Sequence, residues 1–268
     1  MKKTLIIVLC FIINISINNI SYSNTMKVLF IGNSFTHMNN FTGMVSTLAA
    51  YTSDTIITDK SAFDSYTLEK HSECEETINK IQLGCWDYVV LQEQSQRPVM
   101  DSATFYNKTL HYAYFLDSLI HIHNPYAKTL LFMTWGRKYG DETLCKRFPK
   151  CCTYSGMQDQ LILRYNLLGC KMGVPVIPCG IAWKYFQEEY YINLYDPDNK
   201  HANITGSYLN ACIFYASLLR KTPEGISYNP ANLSEKDLYK IQRQAYITSR
   251  LFLPCLLMLT MHFQIKIN

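Results

Sequence analysis

Apolar positions along the chain fall into short unbroken runs separated by longer stretches with helical spacing. The run Val28-Leu29-Phe30-Ile31, entered from Lys27 and closed by Gly32, is the clearest. An uninterrupted apolar stretch with two β-branched residues predicts a strand buried on both faces. Asn33, Ser34 and Thr36 then offer turn and helix-cap chemistry before the apolar positions of Phe41–Leu48, so the reading is strand, tight turn, helix. Similar runs predict strands at Thr55–Ile57, Trp86–Leu91, Thr129–Thr134 and Val174–Pro178. Helices are expected at Met44–Tyr51, within Ser65–Leu83, and at Ala103–His123, Tyr154–Met172, Ile181–Tyr191, Ile204–Leu219 and Glu235–Arg250. Asn124-Pro125 and Gly173 supply two of the stops, and Ser234 caps the last start. Strand and helix alternate five times, which predicts an α/β fold: a parallel sheet with helices on both faces and right-handed crossovers.

The two ends differ from this body. Lys2-Lys3, the apolar run Leu5–Ile13 and the small-x-small stretch Ser21-Tyr22-Ser23 predict an export signal over residues 1–23. The expected destination is periplasmic or extracellular. Cys10 raises lipoprotein anchoring as an alternative, but Leu9 is too bulky beside a lipidated cysteine. Residues 24–250 then form one domain, without internal repeat or low-complexity linker. In the tail 251–268, Leu251–Met261 is apolar but holds Pro254 and is too short to span a bilayer, so no stable membrane insertion is expected.

Composition narrows the function classes. The 268 residues are 48% hydrophobic and 17% charged, which suits a packed core and excludes disorder. Net charge is +4, and falls to +2 once Lys2 and Lys3 are removed with the leader. With no basic stripe interleaved with aromatics, nucleic acid is not an expected partner. Export places nine cysteines in an oxidising compartment. Cys145 with Cys152, or with Cys151, is the disulfide candidate, and the others are expected as small core residues. No Cys-x-x-Cys or His-Glu-x-x-His motif is present, so neither a metal site nor another cofactor is expected.

Three polar clusters fall at one end of the expected sheet: Gly32–Thr36, Gln92–Gln96 and Asp196–His201. In an open α/β sheet, ligands bind at the carboxyl ends of the strands. Asp198-x-x-His201 places a carboxylate where it accepts from the imidazole Nδ1–H, leaving Nε2 to take a proton from a serine. Ser34 on its turn is then a candidate nucleophile, although the same residue also reads as a simple cap. Trp135 and Arg137, after the fourth strand, are candidates to line a substrate. Packing on the insertion Lys138–Cys152 and pairing with Asp141 are their alternatives.

Gly32-Asn33-Ser34-Phe35 and Asp198-x-x-His201 resemble the SGNH (GDSL-like) hydrolase superfamily. A nearer likeness is to a group of exported bacterial SGNH-like proteins of poorly defined function. It runs through Trp86–Gln96, Thr134-Trp135-Gly136-Arg137, Cys152–Gln158 and His201–Tyr215, within Met26–Tyr246. The resemblance implies a flavodoxin-like three-layer α/β/α sandwich with five parallel strands. It also implies Ser34 as nucleophile, His201 as base, Asp198 as its orienter, and an oxyanion hole from the Ser34 N–H, the Ser65 N–H and Gln94 Nε2. The departures are Asn33 where the first block has Asp, Ser65 where the second block has Gly, and Gln94 where the third has Asn. The implied activity is hydrolysis of a small-molecule or glycan ester. A non-catalytic or weakly active glycan-binding module on the same fold is the alternative.

Overall fold

The computed structural model describes residues 25–250; the expected leader, Cys10 and the tail 251–268 lie outside them. Strand β1 (Thr25–Gly32) leads through α1 (Ser34–His37) and a 3-10 turn, Met38–Asn40, into α2 (Phe41–Ala50). Then come β2 (Thr55–Ala62), α3 (Leu68–Ser72), α4 (Glu75–Gln82) and β3 (Tyr88–Leu91). A 3-10 turn, Arg97–Val99, precedes α5 (Ser102–Thr104), which runs on through a π-helical stretch, Phe105–Leu110, into α6 (His111–His123). After β4 (Lys128–Phe132) the chain passes α7 (Glu142–Cys145), a 3-10 turn Pro149–Cys152, and α8 (Tyr154–Met172). It then forms β5 (Val176–Ile177), α9 (Cys179–Glu189), α10 (Ile204–Leu219) and α11 (Glu235–Ser249).

The five strands are all parallel, in the order β2-β1-β3-β4-β5. This is the flavodoxin-like order, whose switch point lies between β1 and β3. Alternate residues of β1 face opposite layers: Val28 and Phe30 join one apolar cluster, Leu29 and Ile31 the other. Helices α2, α9, α10 and α11 cover the first face. Helices α3, α4, α6 and α8 cover the second. Phe30, Phe41, Phe132 and Phe214 meet ring to ring with centroids 5.0–5.7 Å apart, anchoring α2 and α10 against the central strands.

Two expectations change. β2 extends to Ala62, past the expected Ile57, and pairs with β1 residue for residue from Thr25↔Thr55 to Gly32↔Ala62. Its polar second half, Thr58-Asp59-Lys60-Ser61, is tolerated because β2 is an edge strand with one ladder to satisfy. The helix expected within Ser65–Leu83 is two helices, broken at Glu73 and Cys74.

Beneath the carboxyl edge lies a buried polar layer. His71 is fully buried; its Nε2 donates to the Gly32 carbonyl at 2.7 Å, and Nδ1 pairs with the Thr77 hydroxyl at 2.8 Å. Burial pushes this imidazole down to about 4, against the opposing pull of the Gly32 carbonyl. Glu93 is 1% exposed, and burial pushes its carboxyl up to about 7, despite bonds from the Gln94 and Leu68 N–H groups and the charge of Arg97.

These two groups act oppositely on stability. Stability from neutral His71 is complete above its ordinary 6.5 and is lost as pH falls toward 4. Stability from protonated Glu93 is complete below its ordinary 4.5 and is lost as pH rises through 7. Each amounts to on the order of 3 kcal/mol at its extreme, and the two offset each other between pH 4.5 and 6.5. Urea titrations of the wild type are therefore expected to change little across that window. In Glu93→Gln the His71 loss stands alone, and stability should fall on acidification.

Candidate active site

The turn after β1 is held from below. Gln92 Oε1 accepts from the Asn33 N–H at 2.9 Å and from the Thr36 hydroxyl at 2.9 Å. A Cβ on Gly32 would sit 2.5 Å from that same Gln92 oxygen and 2.3 Å from Thr36 Oγ1, so no larger residue fits there. Asn33 Oδ1 caps α1 by accepting from the Phe35 N–H. Asn33 Nδ2 donates to the Tyr66 carbonyl at 2.9 Å. The asparagine thus explains its own presence. An aspartate would cap equally well but could not donate to Tyr66.

His201 arrives on the loop between α9 and α10. Within it the Asp196 N–H donates to the His201 carbonyl, and Tyr195 bridges to Ala202. Asp198 Oδ1 accepts from the Lys200 and His201 N–H groups at 3.0 and 2.9 Å. Asp198 Oδ2 meets His201 Nδ1 at 2.5 Å, and His201 Nε2 lies 2.8 Å from Ser34 Oγ. Burial would raise the Asp198 carboxyl, but the two backbone N–H groups and the imidazole together hold it below its ordinary range. Hydroxyl, imidazole and carboxylate form one hydrogen-bonded chain.

These side chains open into a cleft of about 530 Å³, lined also by Ser65, Gln94, Gln96, Arg137, His37 and Asp64. Ser65 has φ +59°, the left-handed conformation that glycine adopts without penalty. The Ser65 N–H and the Ser34 N–H donate to no other described residue. Gln94 Nε2 donates to Gln96 Oε1 at 3.1 Å, while Gln94 Oε1 accepts from the Gln96 and Arg97 N–H groups. The Gln94 amide is thereby fixed in orientation, with a second N–H to offer.

Trp135 does not line the cleft. It is 1% exposed, stacks on Trp183 at 4.1 Å, meets Phe35 edge-on, and donates from Nε1 to the Lys200 carbonyl at 3.0 Å. An indole this large is placed by the core, and its contribution to the site is to hold the loop before His201. Arg137 does reach the cleft, paired with Asp141 at 3.1 Å. Asp141 also accepts from Gln96 Nε2 at 2.7 Å, which ties the insertion to the cleft wall. Cys145 and Cys152 close that insertion as a disulfide, and Cys151 is a buried free thiol. Cys170 is also disulfide-bonded, contrary to its expected role as a core thiol.

Other contacts escaped the sequence reading. Asn39, left-handed at φ +54°, donates to the Ala202 carbonyl and to Ser207 Oγ. The pair Asn39-Asn40 directly after a helix was the available signal, since asparagine tolerates that conformation. His37 pairs with Asp64 at 2.7 Å on the rim. Among the described residues no cluster of His, Cys, Asp and Glu is arranged to hold a metal ion. None of the described helices is long and apolar enough to cross a membrane.

Because Ser65 holds a conformation costly for an L-residue, Ser65→Gly is expected to raise stability by roughly 0.5–1 kcal/mol. A shift of the urea midpoint at unchanged slope would show it. An unchanged or lowered midpoint would mean that the serine side chain compensates the strain.

No family model and no curated protein sequence matches this chain. Its structure is similar to that of a DUF4886 family protein from Bacteroides uniformis, with a TM-score of 0.70 at 16% identity, covering 83% of this chain and 94% of that one. It is similar to a putative SGNH hydrolase from Slackia heliotrinireducens, with a TM-score of 0.58 at 22% identity over 73% of this chain and 100% of that one. A lipase/acylhydrolase from Enterococcus faecalis matches with a TM-score of 0.51 at 18% identity over 75% and 99%. Five parallel strands in the order 2-1-3-4-5, layered between helices, give this chain the SGNH hydrolase fold.

Proposed function

We propose that the chain is an exported serine esterase that hydrolyses small acyl esters, acetyl esters among them, carried on carbohydrate-type alcohols. The observation that carries this reading is the 2.8 Å contact between Ser34 Oγ and His201 Nε2, continued through Nδ1 to Asp198. Ser34 attacks the ester carbonyl as His201 takes its proton. The developing oxyanion is met by the N–H groups of Ser34 and Ser65 and by the second amide hydrogen of Gln94. His201 returns the proton to the leaving alcohol, and Asp198 stabilises the imidazolium between the two transfers. Water then enters by the same route and releases the acid.

The nature of the cleft supports a small acyl group and a polyhydroxylated alcohol. Among the described residues its apolar lining is limited to Phe35 and Met38, while Asp64, Gln96, Arg137, Asp196 and Lys200 offer both signs of charge and both hydrogen-bond roles. A long acyl chain would find no apolar channel among these residues, whereas sugar hydroxyls would find partners. The Cys145–Cys152 bridge supports an oxidising compartment, in keeping with the leader expected over residues 1–23.

One observation favours the second reading, a glycan-binding module: the Gln94 amide is already engaged by Gln96. Fluorophosphonate labelling separates the two. The wild type is expected to label and to hydrolyse p-nitrophenyl acetate, and Ser34→Ala should do neither while binding oligosaccharide as before. Asp198→Asn should lower kcat by about 10²–10⁴ through the wrong imidazole tautomer. Acetylated oligosaccharides should be turned over in preference to p-nitrophenyl esters of long acyl chains. A wild type that neither labels nor turns over acetyl esters overturns the esterase reading in favour of the module.

A further inference from the structure

Glu93 lies behind the cleft and takes no part in its lining. One of its oxygens, Oε1, accepts from two backbone N–H groups: Gln94 at 2.7 Å and Leu68 at 3.2 Å. Gln94 lies in the segment after β3, and its own side chain reaches the cleft. Leu68 opens α3, three residues after Ser65. A single carboxylate oxygen therefore ties together the two segments that carry Gln94 and Ser65. The third segment, after β1, is tied to both. Gln92 holds Asn33 and Thr36, and Asn33 holds the Tyr66 carbonyl.

A carboxylate is a poor choice for this position on stability grounds alone. Removing a charge from water costs more than one imperfect network returns, and an amide side chain, which still accepts from N–H groups, would pack there at lower cost. The groups facing Glu93 answer it only in part. Arg97 approaches from the 3-10 turn, Thr109 from the π-helical stretch and the Tyr165 hydroxyl from α8. Arg97 is itself shared with Glu69, which Lys108 also holds. What an ionised carboxylate does better than an amide is accept two N–H groups on one oxygen strongly enough to fix both backbones.

We propose that Glu93 is a positioning residue, whose carboxylate sets the spacing between the Gln94 and Ser65 segments that an ester oxyanion requires. It touches neither substrate nor reacting atoms. The kinetic part of this inference rests on the esterase reading, and the structural part does not.

The test uses the full chain, wild type and Glu93→Gln, with two readouts from pH 5.5 to 9. The first is the ¹⁵N–¹H shift of the Leu68 and Gln94 amides. The second is kcat and KM for p-nitrophenyl acetate. In the wild type the two amides should titrate together with a midpoint near 7. In Glu93→Gln neither should titrate. At pH 8 that variant should lose about tenfold or more in kcat with KM changed less than about twofold, while its melting temperature stays level or rises. The proposal is overturned if the wild-type amides do not titrate together, if the variant's kcat at pH 8 stays within about twofold of wild type, or if its kcat falls in step with its melting temperature. Should the wild type turn over no ester, the esterase reading fails while the amide titration still decides the brace. Should Glu93→Gln not fold, the wild-type titration decides it alone.

Discussion

The site depends on holding two loops, 167 residues apart in the chain, at a fixed separation: the turn after β1 and the loop that carries His201. A proton can pass between Ser34 and His201 only within hydrogen-bond reach, so both backbones must be fixed to a fraction of an ångström. Trp135 fixes one from beneath, its indole wedged between Phe35 and Trp183 and its N–H on the Lys200 carbonyl. Asn39 fixes the other side, reaching from the turn after α1 to the Ala202 carbonyl. Lys200 and Ala202 flank His201, so the imidazole is carried on a backbone clamped immediately before and after it. Phe35, directly after Ser34, packs at 5.3 Å from the His201 ring, and the Ser34 segment itself completes the clamp.

A second constraint follows from the first. The turn after β1 cannot be rigid unless its buried polar groups are all answered. Gln92 and Asn33 serve this end because each amide both donates and accepts. Gln92 accepts from the β1 turn and donates to the Glu93 carbonyl; Asn33 accepts from α1 and donates to the segment after β2. Strand ends that are neighbours in the sheet are thereby cross-linked through side chains rather than backbone. Asparagine at position 33, where the resemblance implies aspartate, is intelligible as part of this cross-linking. It joins the segment of Ser34 to the segment of Ser65.

Much of this was legible in the sequence, for reasons that differ by residue. The strands were marked by unbroken apolar runs, and the central three needed no tertiary information beyond that. Asp198 and His201 were legible because their interaction is local, closed within a four-residue turn. Ser34 gained its meaning from the strand end before it. The second half of β2 was not legible, because an edge strand is free to be polar and then resembles a loop. Trp135 misled because an aromatic beside a strand end looks the same whether it faces solvent or core. The face was decided by Trp183, 48 positions away in sequence but parallel and in contact. The two backbone partners of Glu93, one of them 25 residues upstream, could not be read from the polar run that contains it.

Conformational cost gathers around the cleft. Of the seven described non-glycine residues with positive φ, Asn39, Asn40, Ser65 and Asn199 all lie in the segments that build it. Three are asparagines, the residue that bears this conformation most easily after glycine. The fourth, Ser65, is not, and its backbone N–H lines the cleft without a partner among the described residues. To these is added a buried carboxyl, Glu93, that the fold would hold more cheaply as an amide. Unfavourable backbone and an unfavourable buried charge persist only where the surroundings over-determine them. Here the surroundings are the ring cluster of Phe30, Phe41, Phe132 and Phe214 on one face and the packing of α3, α6 and α8 on the other. The core is regular where it faces away from the strand ends and strained where it meets them, which is the distribution expected when strain serves the geometry of a site.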